Sequence, residues 1–252
     1  MGSRTYYEED LAWVHQAGFG DLAERSAPGV LALLERSGIS PGASVLDVGC
    51  GGGQLARALV NAGYRVLGLD ASPAMVELAR SHAPGARFEV GSLPGGAPGG
   101  LPVSDAVVST GHVLNYLAAT ADIAAALRTM AAAVRPGGVL ALDLMTEAFA
   151  RGRTGPGGPV RIEDDWAIVV RDSRPGPRQL RRRITVFRRV GDAWRRHDEE
   201  HENLTFEVAE ALSILEASGI SAEERASFGD APGLDGLAVI AGVRRSAARH
   251  GA

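Results

Sequence analysis

A glycine-rich segment with an acidic residue at its start has the clearest chemical potential in the sequence. It directly follows an apolar run, opens a segment of helical periodicity and reads Asp47-Val48-Gly49-Cys50-Gly51-Gly52-Gly53. Glycines are needed where a backbone turns tightly and lets a ligand approach, and the following helix offers unpaired N–H groups at its positive end. The pattern predicts a ligand-binding turn, although a dinucleotide-binding loop would look similar.

A second acidic residue, Asp70, stands at the end of the next apolar run in the segment Gly68-Leu69-Asp70-Ala71-Ser72. An acid at this place in an α/β fold can accept hydrogen bonds from both hydroxyls of a ribose. The alternative is an ordinary acidic residue in a turn between a strand and a helix. Together with the glycine-rich turn, Asp70 favours a nucleoside-containing ligand.

A histidine, His112, follows a later apolar run in Ser109-Thr110-Gly111-His112-Val113-Leu114-Asn115-Tyr116. The carboxyl ends of parallel strands open into the ligand crevice of such sheets. His112 is therefore a candidate general base or a group that orients the substrate. A hydrogen bond to the backbone or the cofactor is an equal alternative, and Asn115 and Tyr116 are weaker candidates.

These residues must be positioned by a sheet whose strands alternate with helices. The predicted strands are Ser44–Val48, Arg65–Leu69, Arg87–Val90, Asp105–Ser109 and Val139–Leu144. The predicted helices between them include Gln54–Ala62, a helix that begins at Ser72 and Pro73, and one with Ile123, Leu127, Met130 and Val134 on its buried face. Nearly continuous apolar strands of this kind indicate a parallel sheet covered on both faces.

The pattern changes after a glycine- and proline-rich stretch at 151–159. Residues 160–204, called the meander below, contain three runs of strand character without a helix between them, which predicts antiparallel strands at Trp166–Arg171, Leu180–Val190 and Ala193–Leu204. A helix at Thr205–Ser218 and strands near Ala222–Phe228 and Leu237–Val243 complete the predicted elements.

Three segments, VLDVGCGGGQLARAL, GYRVLGLDASPAMVELAR and VRPGGVLALDL, resemble the successive motifs of class I S-adenosylmethionine (SAM)-dependent methyltransferases, particularly those that act on small molecules. The resemblance implies an α/β fold with a Rossmann-like, mostly parallel seven-stranded sheet whose last strand is antiparallel. It also implies an N-terminal helical lid at 1–40, a SAM-binding core at 41–159 and 205–252, and a lid formed by the meander.

The same resemblance implies roles for the residues of the two acidic motifs. Asp47 and Gly49 would face the methionine part of SAM, with Asp47 receiving its ammonium group directly or through water. Gly51 would let the backbone approach the adenosine. Asp70 would bind the ribose hydroxyls, and Ala71 would lie against the adenine.

Further candidate contacts lie where the family's pattern is less sharp. Ser92 stands where the family often has an acid for the adenine amino group, and Leu93 and Gly111 complete the predicted cofactor contacts. An N-terminal helix often closes over the cofactor in this family, so Tyr7 and His15 join His112 as candidate catalytic residues. Surface aromatic residues and a histidine at a helix end are an almost equal alternative. His201, where the meander leads back to the core, could point into the pocket, although such a histidine is more often structural.

Composition excludes several other classes. The net charge of −4 gives no sign of nucleic-acid binding, and the arginines at 181–183 and 188–189 have acidic neighbours, although one arginine turned inward would suit an acidic substrate. Cys50 is the single cysteine, so no disulfide or thiolate metal site is expected. No apolar run reaches the ~20 residues of a membrane helix, and the polar first residues are unlike a secretory signal.

We therefore expect a cytoplasmic enzyme, a monomer or homodimer, that moves a methyl group from SAM to a nitrogen or oxygen atom of a small molecule, with natural-product biosynthesis as a candidate setting. S-adenosylhomocysteine would be the second product, and no metal, nucleic acid or membrane is expected. The alternative is an enzyme of the same fold, such as a cyclase, that binds SAM without transferring its methyl group. The acceptor molecule stays open.

Overall fold

The chain alternates between strands and helices up to residue 145 and then continues as consecutive strands. The computed structural model describes residues 6–19, 21–93, 100–153, 158–229 and 237–246. Its strands are β1 Ser44–Val48, β2 Arg65–Asp70, β3 Arg87–Val90, β4 Ser104–Ser109, β5 Val134–Met145, β6 Val160–Ile162, β7 Trp166–Ser173, β8 Gln179–Val190, β9 Ala193–Leu204, β10 Ile220–Arg225 and β11 Leu237–Arg244. Its α-helices are α1 Glu9–Gly18, α2 Asp21–Arg36, α3 Gln54–Asn61, α4 Pro73–His82, α5 Thr120–Ala133, α6 Glu147–Arg153 and α7 Val208–Ala217.

The main sheet has seven strands in the order β10-β11-β5-β4-β1-β2-β3. The strands β1 to β5 pair in parallel, whereas β11 is antiparallel to both of its neighbours. The predicted Rossmann-like sheet with an antiparallel last strand is therefore confirmed. Because β1 and β4 lie next to each other at the centre, the loops after these two strands flank one crevice at the carboxyl edge.

Apolar residues alternate between the two faces of the main sheet. Val45 packs with α2, α3 and α4 on one face, and its neighbour Leu46 packs with α5 and α7 on the other. Burial of each such side chain contributes about 1.5–3 kcal/mol. The two apolar layers hold the strand ends rigidly beneath the loops that carry the acidic residues.

The meander forms a separate antiparallel sheet in the order β6-β7-β8-β9. The short strand β6 was not among the predicted strands. Val170, Ile184 and Val186 on its inner face pack against Leu11 and Val14 of α1. Its outer face carries ion pairs, including Arg181 with Glu202 and Arg183 with Glu200. The predicted arginine cluster is thus divided between two faces, and Arg181 and Arg183 on the outer face are paired with acids.

Several element boundaries differ from the sequence prediction. β5 begins at Val134 rather than at Val139. Val134 already pairs with Ser104 of β4, the register then shifts, and pairing continues from Val139 with Ala106. The helix predicted at Thr205–Ser218 begins only at Val208, and α6 occupies part of the predicted loop at 151–159. Of the residues described, no helix has both the length and the hydropathy that crossing a membrane requires.

Asn115 joins three parts of the chain in the interior. Its side chain is fully buried, donates hydrogen bonds to the carbonyl oxygens of Met145 and Leu204, and accepts one from the Met145 N–H at 2.8 Å. Met145 ends β5 and Leu204 ends β9, so this amide fastens the meander to the main sheet. The structural interpretation of Asn115, which the sequence favoured over a catalytic one, therefore holds.

Replacing Asn115 by alanine is expected to lower the free energy of unfolding by about 2–4 kcal/mol, because buried backbone groups lose their partners. Urea unfolding followed by circular dichroism measures the change. Asn61→Ala, at an exposed position that ends α3, is the matched control and should change stability by less than about 0.5 kcal/mol. Equal effects of the two substitutions would contradict the role of Asn115 in fastening the meander to the main sheet.

Candidate cofactor and substrate site

The turn after β1 has a backbone that glycine alone adopts easily. Gly49 and Gly51 have φ angles of +72° and +51°. A Cβ atom on Gly49 would lie 2.3 Å from the Val113 side chain, whereas the same position on Gly51 is open. The turn therefore packs on one side against the loop after β4 and leaves its other side free for a ligand.

Asp70 ends β2 and holds this turn from the neighbouring strand. Its Oδ2 accepts a hydrogen bond from the Gly51 N–H at 2.9 Å, and its Oδ1 accepts one from the Ser72 N–H at 2.9 Å. Burial raises the pKa of Asp70, although the bonds from Ser72 and Gly51 oppose the rise. Because an ionised carboxylate has about four acceptor positions, Asp70 keeps acceptor capacity for the hydroxyl of a ligand.

Asp47 is the acid whose partner is missing. Its side chain is buried, and its Oδ2 has no hydrogen-bond partner within the described part of the chain. Burial, and next the negative charge of Asp70, raise the pKa of Asp47 to about 7. An unpaired buried carboxylate binds a cationic group strongly, so the position fits the ammonium group of an amino-acid moiety.

Asp143 fixes the loop after β4. Its Oδ2 accepts the Gly111 N–H at 2.9 Å and its Oδ1 accepts the His112 N–H at 2.5 Å. Burial raises the pKa of Asp143 to about 6, against the effect of these bonds. His112 consequently stays in the left-handed backbone region at φ +49°. The sequence analysis missed Asp143, whose only signal was an isolated acid in the apolar run 139–145.

Two of the three candidate catalytic side chains, His112 and Tyr7, contact Tyr116, and the third, His15, contacts Tyr7. The His112 ring is stacked on Tyr116 with centroids 5.8 Å apart, and the hydroxyls of Tyr7 and Tyr116 are hydrogen-bonded at 3.0 Å. The ring of His15 lies 5.1 Å from that of Tyr7. Burial, and next the charge of Arg182, lower the pKa of His112 to about 3, whereas burial raises the pKa of Tyr7 well above its ordinary value.

The segment before α1 crosses the crevice and is tied on both sides. The Ser72 hydroxyl donates to the Tyr7 carbonyl oxygen at 2.6 Å. On the other side, the N–H groups of Tyr7 and Glu8 donate to the Glu199 carboxylate at 2.8 and 2.9 Å. Since Ser72 also bonds to Asp70, one chain of hydrogen bonds runs from the cofactor side to the meander.

Two arginines of the meander point inward. Arg188 is paired with Asp10 at 3.2 Å and lies over the Trp13 ring. Arg182 lies beside Tyr116, and its Nε is 3.4 Å from the Asp172 carboxylate. Strand alternation predicted that the arginines divide between two faces but did not identify Arg182 as the one at the crevice.

The remaining predicted cofactor contacts lie at the same sheet edge. Ala71 and Ser92 are exposed after β2 and β3, and Leu93 is buried. The Gly91 N–H donates to the Asp70 carbonyl oxygen at 2.9 Å, which joins these two loops. The cofactor roles of these residues stay predictions. Of the described residues, no three His, Cys, Asp or Glu side chains form a group that could hold a metal ion.

Known proteins show the same combination of motifs. A family profile described as a methyltransferase domain matches residues 45–138. The chain is 31% identical over 232 residues to dTDP-3-amino-3,6-dideoxy-alpha-D-glucopyranose N,N-dimethyltransferase of Streptomyces fradiae, and the match covers 88% of each chain. It is 36% identical over 104 residues to ubiquinone biosynthesis O-methyltransferase of Methylobacterium sp., so it spans 39% of that relative's length.

Solved structures share the fold across nearly the whole chain. A sugar N-methyltransferase of Streptoalloteichus sp. has a TM-score of 0.76 at 24% identity, with 98% of both chains covered. An amino pentose methyltransferase of Micromonospora echinaspora has a TM-score of 0.73 at 24% identity, with 97% of this chain and 100% of that chain covered. The chain belongs to the class I SAM-dependent methyltransferase family. SAM is therefore its cofactor, and the unpaired Asp47 and the open side of Gly51 fit that molecule.

Replacing Asp47 by asparagine is expected to change stability and cofactor binding in opposite directions. The folded-state pKa of about 7 lies above the ordinary value of 3.8, so the stabilising protonated form is lost as pH rises through 7. At pH 8 the buried charge costs about 4 kcal/mol. Asp47→Asn should therefore unfold at higher urea concentration than the native protein at pH 8, with the difference vanishing near pH 4.

The same variant should bind SAM at least about tenfold more weakly, since the ammonium group loses its charged partner. Isothermal titration calorimetry measures this affinity. Asp192→Asn, in the exposed turn after β8, is the control and should change neither quantity. Native affinity for SAM in Asp47→Asn, or a stability difference that does not depend on pH, would contradict the role of Asp47.

Proposed function

We propose that this protein transfers a methyl group from SAM to an amine nitrogen of a small molecule. The acid–base character of the side chains around Tyr116 carries the proposal. The pKa of His112 is lowered to about 3 by burial, and burial also lowers the pKa of His201 and raises that of Tyr7. None of these three groups is suited to deprotonate a hydroxyl at neutral pH, whereas a neutral amine already has a free electron pair.

The extent of the similarities supports nitrogen over oxygen. The match to the amino-sugar N,N-dimethyltransferase covers 88% of this chain, a span too long to leave out the meander. The match to the ubiquinone biosynthesis O-methyltransferase covers only 39%. Because the residues outside the glycine-rich core face the acceptor, the longer similarity is the more informative about its chemistry.

Each residue then has a task in binding or orientation. Asp47 would hold the ammonium group of SAM and Asp70 its ribose hydroxyls. Bound SAM supplies a methyl group on a positively charged sulfur, which a nitrogen electron pair can take by direct displacement. The neutral His112 ring would accept a hydrogen bond from the amine N–H and so direct that electron pair toward the methyl group.

The lids belong to the same proposal. Residues 1–40 and the meander would close over the bound molecules and exclude water, with Tyr7 as their meeting point. The ion pairs on the outer face of the meander argue against a nucleic-acid partner. A cytoplasmic location and a monomeric or homodimeric state complete the proposal.

A methyl-transfer assay with mass-spectrometric detection tests the proposed function. The protein is incubated with SAM and either dTDP-3-amino-3,6-dideoxy-α-D-glucose or a catechol as acceptor. We expect one or two added methyl groups on the amine, with one S-adenosylhomocysteine formed for each methyl group. Methylation of the catechol alone would overturn the choice of nitrogen, and conversion of an acceptor without methyl transfer would favour the cyclase-like alternative.

Replacing His112 by alanine is expected to lower the turnover number at saturating SAM by about tenfold or more, with little change in SAM affinity. His112→Asn, which keeps a hydrogen-bond acceptor, should retain more of the activity. Because the folded-state pKa of His112 is about 3, its ring stays neutral from pH 5 upward and should add no inflection there. Single-turnover kinetics across pH measure both effects. Weakened SAM binding with normal turnover would instead make His112 a cofactor contact.

A further inference from the structure

His201 presents an unused hydrogen-bond acceptor in the protein interior. Its Nε2 lies 2.7 Å from Oε2 of Glu199. Burial would raise the pKa of Glu199, but the hydrogen bonds from His201 and from the N–H groups of Glu8 and Tyr7 outweigh it and lower the pKa. An ionised carboxylate only accepts, so Nε2 carries the proton and Nδ1 keeps its electron pair. This Nδ1 is buried and has no partner in the described part of the chain.

Asn203 is a second buried group without a partner. Its side chain is 1% exposed, and within the described ranges neither its Oδ1 nor its Nδ2 has a hydrogen-bond partner. Asn203 lies two residues after His201 on β9, so both side chains are on the inner face of the meander. An amide buried without partners costs free energy, and two such groups side by side indicate a ligand that satisfies them.

The two groups border the candidate site. The ring of His201 lies 4.7 Å from Tyr6, 5.0 Å from Tyr7 and 5.6 Å from Tyr116. Asn203 is paired in register with Leu180, which packs with Phe149. The ring of Phe149 is in turn 5.8 Å from that of His112.

Charge restricts the kind of ligand. Arg182 lies opposite His201 in the register of β8 and β9, so a cationic donor would be repelled. An anion cannot donate a hydrogen bond to Nδ1. Asp172 lies 3.4 Å from Arg182 and 3.0 Å from Arg153, so both guanidinium groups already have a carboxylate partner. A neutral group that both donates and accepts is left. A hydroxyl does both through one oxygen atom, which suits the single acceptor atom of His201 and the neighbouring amide of Asn203.

We infer that His201 and Asn203 form a subsite that binds hydroxyl groups of the acceptor substrate. One hydroxyl donates to Nδ1 of His201 and accepts from Nδ2 of Asn203, and an adjacent hydroxyl donates to Oδ1 of Asn203. The acceptor is therefore a polyhydroxylated amine whose hydroxyls lie on the meander side of the reacting nitrogen. This inference rests on the proposed function.

The first test is the stability of the ligand-free Asn203→Leu variant, which keeps the side-chain volume. Removing an unpaired buried amide should raise the midpoint of thermal unfolding by a few degrees. If the amide instead has a structural role, the midpoint of thermal unfolding should fall. That result would overturn the subsite without any measurement of activity. Glu202→Gln, on the outer face of β9 between the two residues, is the control and should leave the midpoint unchanged.

The second test compares substrates that differ in one hydroxyl: the amino-sugar nucleotide used above and its 2-deoxy and 4-deoxy analogues. Asn203→Leu should raise KM for the parent sugar about tenfold, with a smaller change in kcat. For at least one deoxy analogue, native enzyme and variant should have similar KM values, because the same contact is already lost. If the effects on KM of Asn203→Leu and of removing a hydroxyl add up for both analogues, the inference is overturned and the proposed function still stands.

If the native enzyme methylates none of the three sugars but methylates amines without hydroxyls, the inference is overturned and the proposed function stands. If it methylates no amine, the proposed function fails and the inference falls with it. Glu202→Gln should keep the native KM for every sugar.

Discussion

Hydrogen bonds from backbone N–H groups to buried carboxylates build the whole site. Parallel strands end at one edge, where the turns that follow have N–H groups without strand partners. Asp70 accepts two of them, from Gly51 and Ser72, and Asp143 accepts two more in the loop after β4. These bonds fix the turns before any ligand arrives. Asp47, whose Oδ2 receives no such bond in the described chain, is the acid left for a ligand.

The carboxylate of Glu199 repeats the same interaction on the substrate side. It accepts the N–H groups of Tyr7 and Glu8 and the Nε2 proton of His201. The Tyr7 carbonyl oxygen in the same segment accepts a hydrogen bond from the hydroxyl of Ser72, which lies two residues after Asp70. A molecule that displaces Asp70 or the segment at Tyr7 would therefore alter the meander as well. One hydrogen-bonded path therefore joins the turn after β2 to the meander.

The sequence carries enough information to predict the sheet and to place Asp47 and Asp70 at its carboxyl edge. The alternation of apolar strands with helical segments predicts the order of elements, and Asp47 and Asp70 stand at the carboxyl ends of two of these strands. Local pattern cannot show that Arg182, His201 and Asn203 meet, because this depends on the register of β8 with β9. A slip of one residue would place Arg182 on the opposite face from His201 and Asn203. Asp143 was missed for a similar reason, since its partners are backbone groups about 30 residues away in the chain. The start of β5 at Val134 and the break in its pairing before Val139 are set by its neighbour β4, so local periodicity cannot predict them.

Calorimetric titration of SAM and S-adenosylhomocysteine into the native protein and into Asp70→Ala tests the central claim most directly. The account predicts that the native protein binds both molecules with dissociation constants in the micromolar range or tighter. It predicts that Asp70→Ala loses on the order of 2–4 kcal/mol of that binding, because two hydrogen bonds to a charged acceptor disappear. Binding of a nicotinamide cofactor with no heat from either SAM or S-adenosylhomocysteine would contradict it.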